Sequence, residues 1–155
     1  MNMSFITVTE TEGIATITLN RPDKRNAMHG AMVQELLEAL HFLANSDHNR
    51  VLIMQGHGEH FCAGGDIAWM KAMAVSNPDQ NQEDAQLLAD MIYALYTYPK
   101  PSIALVHGAT MGGGMGLVSA CDIAIAADTA CFALSEVKIG ITPSCASLDE
   151  RISAR

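Results

Sequence analysis

The chain has 155 residues, 49% of them hydrophobic and 17% charged, which is enough for one domain with a packed core and excludes a disordered chain. A formal net charge of −8 disfavours nucleic acid and anionic membrane as partners, so neither is expected. The four cysteines form no CxxC pair and no histidine spacing fits zinc, so no metal is expected. With no secretory leader in the first ten residues, the expected location is cytoplasmic. The apolar tract over 103–127 is broken by Gly108, by Gly112 to Gly114 and by Asp122, and is not expected to span a bilayer.

In chain order, alternation predicts strands over 5–9 and Ile14–Leu19, joined at Glu12-Gly13. Pro22 ends the second strand. Asn26 is the expected cap of a helix over 27–44, whose core stripe is Met28, Met32, Leu36, Leu40 and Leu43. A short buried strand over 51–55 leads to a glycine turn and a short helix over 67–74. A polar linker over 76–81 precedes a longer helix that buries Leu87, Leu88, Met91, Ile92 and Leu95. Tyr98-Pro99-Lys100-Pro101 stops it. A buried strand at Ser102–Val106 is followed by a glycine-rich turn over 108–116 opening a helix that ends near Ala120. Strands over 123–127, expected buried, and Cys131–Ala133 come last. The recurring order of strand, glycine turn and helix is α/β architecture.

Two of these glycine turns each lie between a buried strand and a helix start. A helix start leaves backbone N–H groups unpaired and favours negative charge, and glycine permits close approach. If the two turns converge, they offer two N–H donors to one oxygen, an oxyanion hole. The alternative is tight helix–strand packing, and spacing leaves both open. Gly112-Gly113-Gly114 is no Walker loop, because no Gly-Lys-Ser/Thr follows. Arg21, Lys24 and Arg25 form a local basic spot, read either as a solvated turn or as a seat for a phosphorylated ligand. His57 and His60 lack a third metal ligand, and Trp69 is either a pocket wall or half-buried packing.

Four blocks resemble the enoyl-CoA hydratase/isomerase (crotonase) family: Asn20-Arg21-Pro22-Asp23-Lys24-Arg25-Asn26-Ala27-Met28, then Phe61-Cys62-Ala63-Gly64-Gly65-Asp66-Ile67. The third is Lys100-Pro101-Ser102-Ile103-Ala104 with Gly112-Gly113-Gly114 and Ala120-Cys121-Asp122. The fourth is Phe132-Ala133-Leu134-Ser135-Glu136-Val137-Lys138-Ile139-Gly140. The resemblance covers residues 5–144. It implies a spiral of ββα units and an acyl-CoA thioester substrate, with CoA as part of the substrate and no separate cofactor. It also implies a homotrimer or hexamer for full-length members.

By position, the resemblance makes the backbone N–H groups of Gly65 and Gly113 the oxyanion donors and Glu136 the proton-transfer carboxylate. Lys24, Arg25 and Ala27 would follow the CoA phosphates and pantetheine, while Ala63, Asp66 and Ile67 would border adenine and pantetheine. Where many hydratases carry a first glutamate, this chain has Gly116, leaving Glu136 as the candidate acid–base group. The motifs look most like methylglutaconyl-CoA hydratases; an isomerase or a non-catalytic CoA-binding remnant are the alternatives. Residues 1–144 are read as an incomplete crotonase-like core, truncated before the C-terminal helical region. Residues 145–155 are read as a tail that does not resemble the family, so little or no activity is expected of this chain.

Overall fold

The computed structural model describes residues 3–134. Strands β1 (Ile6–Thr11) and β2 (Ile14–Leu19) form an antiparallel hairpin, turned at Glu12 and Gly13, both with positive φ. Strands β3 (Val51–Gly56), β4 (Ser102–Val106) and β6 (Ile123–Ala126) continue the sheet in parallel, in the order β1-β2-β3-β4-β6. Strand β5 (Ala109–Met111) pairs in parallel with β7 (Cys131–Ala133) in a second, smaller sheet.

Short extended pieces enlarge that second layer. Residues 25–28 bond to 63–66 through Ala63 N–H to Arg25 O (2.9 Å), Met28 N–H to Gly64 O (2.7 Å) and Asp66 N–H to Met28 O (2.8 Å). Residues 61–62 bond to 107–111 through Phe61 N–H to His107 O (2.8 Å), Cys62 N–H to Ala109 O (3.1 Å) and Met111 N–H to Cys62 O (2.9 Å). Successive units of the chain thus repeat one path: a strand in the large sheet, an extended piece in the second layer, then a helix. This is the expected α/β ββα repeat, consistent with a crotonase-like spiral.

Helix α1 (Gly30–Ala44) and helix α3 (Pro78–Tyr96) pack together over the sheet. Met32, Val33, Leu36, Leu40 and Leu43 of α1 meet Met91, Ile92 and Leu95 of α3, with Ile17, Leu19, Leu52 and Met54 beneath. Their spacing of three and four residues is what turns one helix face inward. Leu87 and Leu88, expected to be buried, are half-buried. Lys100 reaches the C-terminal end of α1 and donates to Leu43 O (3.0 Å) and Ser46 O (2.6 Å), a cation satisfying carbonyls a helix end leaves open.

Several expectations need correction. Asn26 does not cap α1. It sits at φ 55°, fully buried, with Nδ2 donating to His57 O (2.9 Å) and His60 O (2.8 Å) and Oδ1 accepting from Arg21 N–H (2.8 Å). The cap is His29, whose Nδ1 accepts from Met32 N–H at 3.3 Å, and Met28 lies before the helix as part of the second layer. The linker over 76–81 is mostly helix, since Asn77 caps α3 and Pro78 occupies its first turn. The turn over 108–116 contains β5, and β6 is exposed along its length, with Ile123 at 50% and Ile125 at 56%. Among the described residues, no helix is long and apolar enough to cross a membrane.

Candidate active site

The site is built where second-layer pieces turn into helices. Three such corners lie side by side: Met28 before α1, Gly65 before helix α2 (Ile67–Val75), and Gly112 before helix α4 (Gly113–Ala120). Met28 and Gly65 form a parallel bridge. A Cβ added at Gly64 would lie 3.0 Å from Met111 O and 3.8 Å from Gly112 Cα, and Gly64 has φ +95°. Only a residue without Cβ lets these two chains lie so close in that conformation.

This bridge dictates where the Gly65 amide points. The Gly64 carbonyl is held by Met28 N–H, and in a trans peptide the following N–H points the opposite way. The Gly65 N–H is therefore turned away from Met28, and it finds no acceptor among the described residues. Gly113 is the first residue of α4. The Gly112 carbonyl accepts from Met115 N–H (2.8 Å) and Gly116 N–H (3.3 Å), which directs the Gly113 N–H back out of the helix start. It too has no acceptor among the described residues. Gly113 packs against Met28, whose Cε is 2.5 Å from where a Cβ would stand. Gly65 packs against Met70, whose Sδ is 3.1 Å from its Cβ position.

The remaining sequence candidates surround these corners. Lys24 ends the 3-10 turn at Pro22–Lys24 and Arg25 follows it at φ 52°; both side chains are exposed. Ala27 is buried one residue before the bridge, and half-buried Ala63 bonds to Arg25. Ile67 opens α2 with 70% of its surface exposed, an apolar residue at the rim. Asp66 has a specific job: Oδ1 accepts from Ala68 N–H (2.9 Å) and Trp69 N–H (3.3 Å), capping α2, while Oδ2 pairs with Arg21 at 3.0 Å. The Arg21 hydrogen bond, followed by those amides, holds the carboxyl below its ordinary range. Trp69 is half-buried, with Nε1 3.7 Å from the Cβ position of Gly30. Gly116 is buried within α4, and Glu136 lies outside the described residues.

Residues 9–151 match the enoyl-CoA hydratase/isomerase family. The chain belongs to that family. Over 134 residues it is 40% identical to a hydroxycinnamoyl-CoA hydratase-lyase of Pseudomonas fluorescens, an alignment covering 85% of this chain and 49% of that protein. It is 34% identical over 146 residues to 4-chlorobenzoyl coenzyme A dehalogenase-1 of Arthrobacter sp, covering 92% of this chain and 52% of that one. The crystal structure of an enoyl-CoA hydratase from Shewanella pealeana superimposes with a TM-score of 0.89 at 38% identity, over 92% of this chain and 54% of that chain. The chain spans about half the length of the curated relatives it matches.

Spacing gives no sign of Arg21 as the partner of Asp66 or of His29 as the α1 cap. A signal was present for Asp66, because an aspartate directly before an apolar run is a helix-start signature.

Proposed function

We propose that this chain carries the acyl-binding half of an enoyl-CoA hydratase-type lyase, in which the Gly65 and Gly113 amides receive the thioester oxygen of a 2-enoyl-CoA. The supporting observation is the paired corner geometry: two glycine amides without acceptors among the described residues, on adjoining second-layer turns, one aimed by the Met28 bridge and one by the α4 start. When hydroxide adds to the β-carbon, the π electrons shift toward the thioester oxygen and an enolate forms; the α-carbon then takes a proton. Fixed dipoles that meet the new charge stabilise the transition state more than the substrate. Glu136 is assigned the proton transfers. Lys24, Arg25 and Ala27 are assigned to the CoA phosphates and pantetheine, and Ala63, Asp66 and Ile67 to the border of the adenine and pantetheine. Asp66 borders that region as a fixed residue, its carboxylate engaged by Arg21 and α2 and its N–H by Met28 O.

A carboxylated or branched enoyl-CoA, of the methylglutaconyl type, is the favoured substrate. Residues 1–144 form the crotonase-like core, 145–155 a separate tail, and assembly follows the trimeric or hexameric plan. Gly116 favours a second reading, an isomerase, because one glutamate suffices to move a proton between two carbons. Purified protein incubated with 2-enoyl-CoA and 3-enoyl-CoA separates these readings. Hydration removes the conjugated thioester absorbance, and isomerisation of the 3-enoyl substrate creates it. Glu136→Gln abolishes either signal; a retained rate refutes its assignment. CoA binding with no turnover of either substrate marks a non-catalytic remnant.

A further inference from the structure

We propose that Arg21 is a positioning residue for the acyl-carbonyl site, holding the Gly65 amide in its direction; this rests on the reading of Gly65 as an oxyanion donor. The guanidinium grips both sides of the Met28–Gly65 bridge. Nη1 donates to the carbonyl of Ala27, the residue before Met28, and Nη2 pairs at 3.0 Å with Asp66, the residue after Gly65. Its Cζ lies 5.8 Å from the centroid of the Phe5 ring, and the Arg21 backbone is tied to Asn26, with Asn26 N–H donating to Arg21 O at 2.9 Å. One planar fork thus joins the edge of the large sheet, the 21–28 turn and the 62–66 loop.

The ion pair is 14% exposed on each side, so water competes with it weakly. A fork with fixed donor directions does this better than a point charge: lysine cannot reach Ala27 O and Asp66 Oδ2 with two parallel donors. Loss of the fork frees the Ala27–Met28 piece to shift against Gly64–Asp66, and the Gly65 N–H swings with its peptide plane. The side chains of Lys24 and Arg25, assigned to CoA, are exposed, and neither is among the hydrogen-bond partners of the Arg21 guanidinium.

The test titrates the full chain, as wild type, Arg21→Gln and Asp66→Asn, with free CoA and with cinnamoyl-CoA. The conjugated thioester of cinnamoyl-CoA absorbs to the red when its carbonyl is polarised. The wild type is expected to red-shift the bound probe. Folded Arg21→Gln is expected to lose the red shift and bind the probe about tenfold more weakly, while its affinity for CoA stays within about twofold. Asp66→Asn keeps a good helix cap and serves should Arg21→Gln fail to fold; it is expected to weaken the red shift. A full wild-type shift in either folded variant overturns the positioning role. Loss of CoA affinity together with the shift also overturns it, because that pattern is general loosening. A wild-type chain that binds the probe without any shift overturns the oxyanion site itself, and the role of Arg21 with it.

Discussion

Gly114→Ala sets two effects of opposite sign against each other. Gly114 lies in the first turn of α4, and in a free helix alanine is preferred to glycine by about 0.8–1.0 kcal/mol. Here the added Cβ would stand 2.6 Å from Cys62 O, 2.9 Å from Cys62 Cβ and 3.3 Å from Cys62 C. Cys62 cannot retreat cheaply, because its N–H donates to Ala109 O (3.1 Å) and its carbonyl accepts from Met111 N–H (2.9 Å). Two contacts below 3.0 Å against a pinned backbone put the overpacking cost in the upper part of its usual range, about 2–3 kcal/mol, so that after subtracting the helix preference the net loss is about 1–2 kcal/mol. With a urea dependence of about 1–3 kcal/mol per molar, the unfolding midpoint falls by about 1 M. Equilibrium unfolding followed by far-ultraviolet circular dichroism and Trp69 emission measures it. Gly113→Ala is the control: its Cβ meets the flexible end of Met28, and the cost is below about 1 kcal/mol. A Gly114→Ala midpoint equal to or above wild type refutes the seating of α4 on Cys62, and with it the closeness of the two glycine corners.

Asn26→Ala removes three hydrogen bonds of a fully buried side chain, takes the donor from the His57 and His60 carbonyls and leaves a Cβ at φ 55°; a loss of about 2–3 kcal/mol in urea unfolding is expected, with Asn26→Gly no better than partly restoring it. His29 titrates below its ordinary value of 6.5, chiefly through burial and then the nearby Arg21, opposed by Asp66 and Glu35. The unfolded chain therefore binds the proton first, so stability falls as pH drops below about 6.5 and levels off once the folded state is protonated too. His29→Asn keeps a capping acceptor and is expected to flatten the urea-midpoint profile between pH 7.5 and 5.5; an unchanged slope contradicts the assignment.

Much of this was legible in the sequence because the relevant forces are local. Strands β4 and β7 run over the residues expected of them, and the α1 stripe from Met32 to Leu43 is buried where its spacing placed it, while Met28 is buried ahead of the helix. The departures come from residue types that serve two ends. Asparagine is both a good helix cap and a residue tolerated in the left-handed region, and pairing with His57 and His60 from a distant loop decided which role Asn26 took. Strand β5 was hidden in a glycine run because its partner, β7, lies about twenty residues on, beyond the reach of any local pattern. The apolar residues of β6 read as buried because hydropathy records a preference, whereas exposure depends on what packs against the strand. In the site, the glycines were legible as permissive corners; the partner that grips them, Arg21 on Asp66, spans forty-five residues and left no spacing signal.

The most direct test is to label the glycine amides with nitrogen-15 and add acetoacetyl-CoA, whose enolate carries the developing charge on its thioester oxygen. Of the twelve glycines, Gly65 and Gly113 are expected to shift downfield together and exchange with solvent more slowly when the ligand binds, and free CoA is expected to produce neither change. Saturation with acetoacetyl-CoA that leaves both amides where they were, or moves one alone, contradicts a shared oxyanion site.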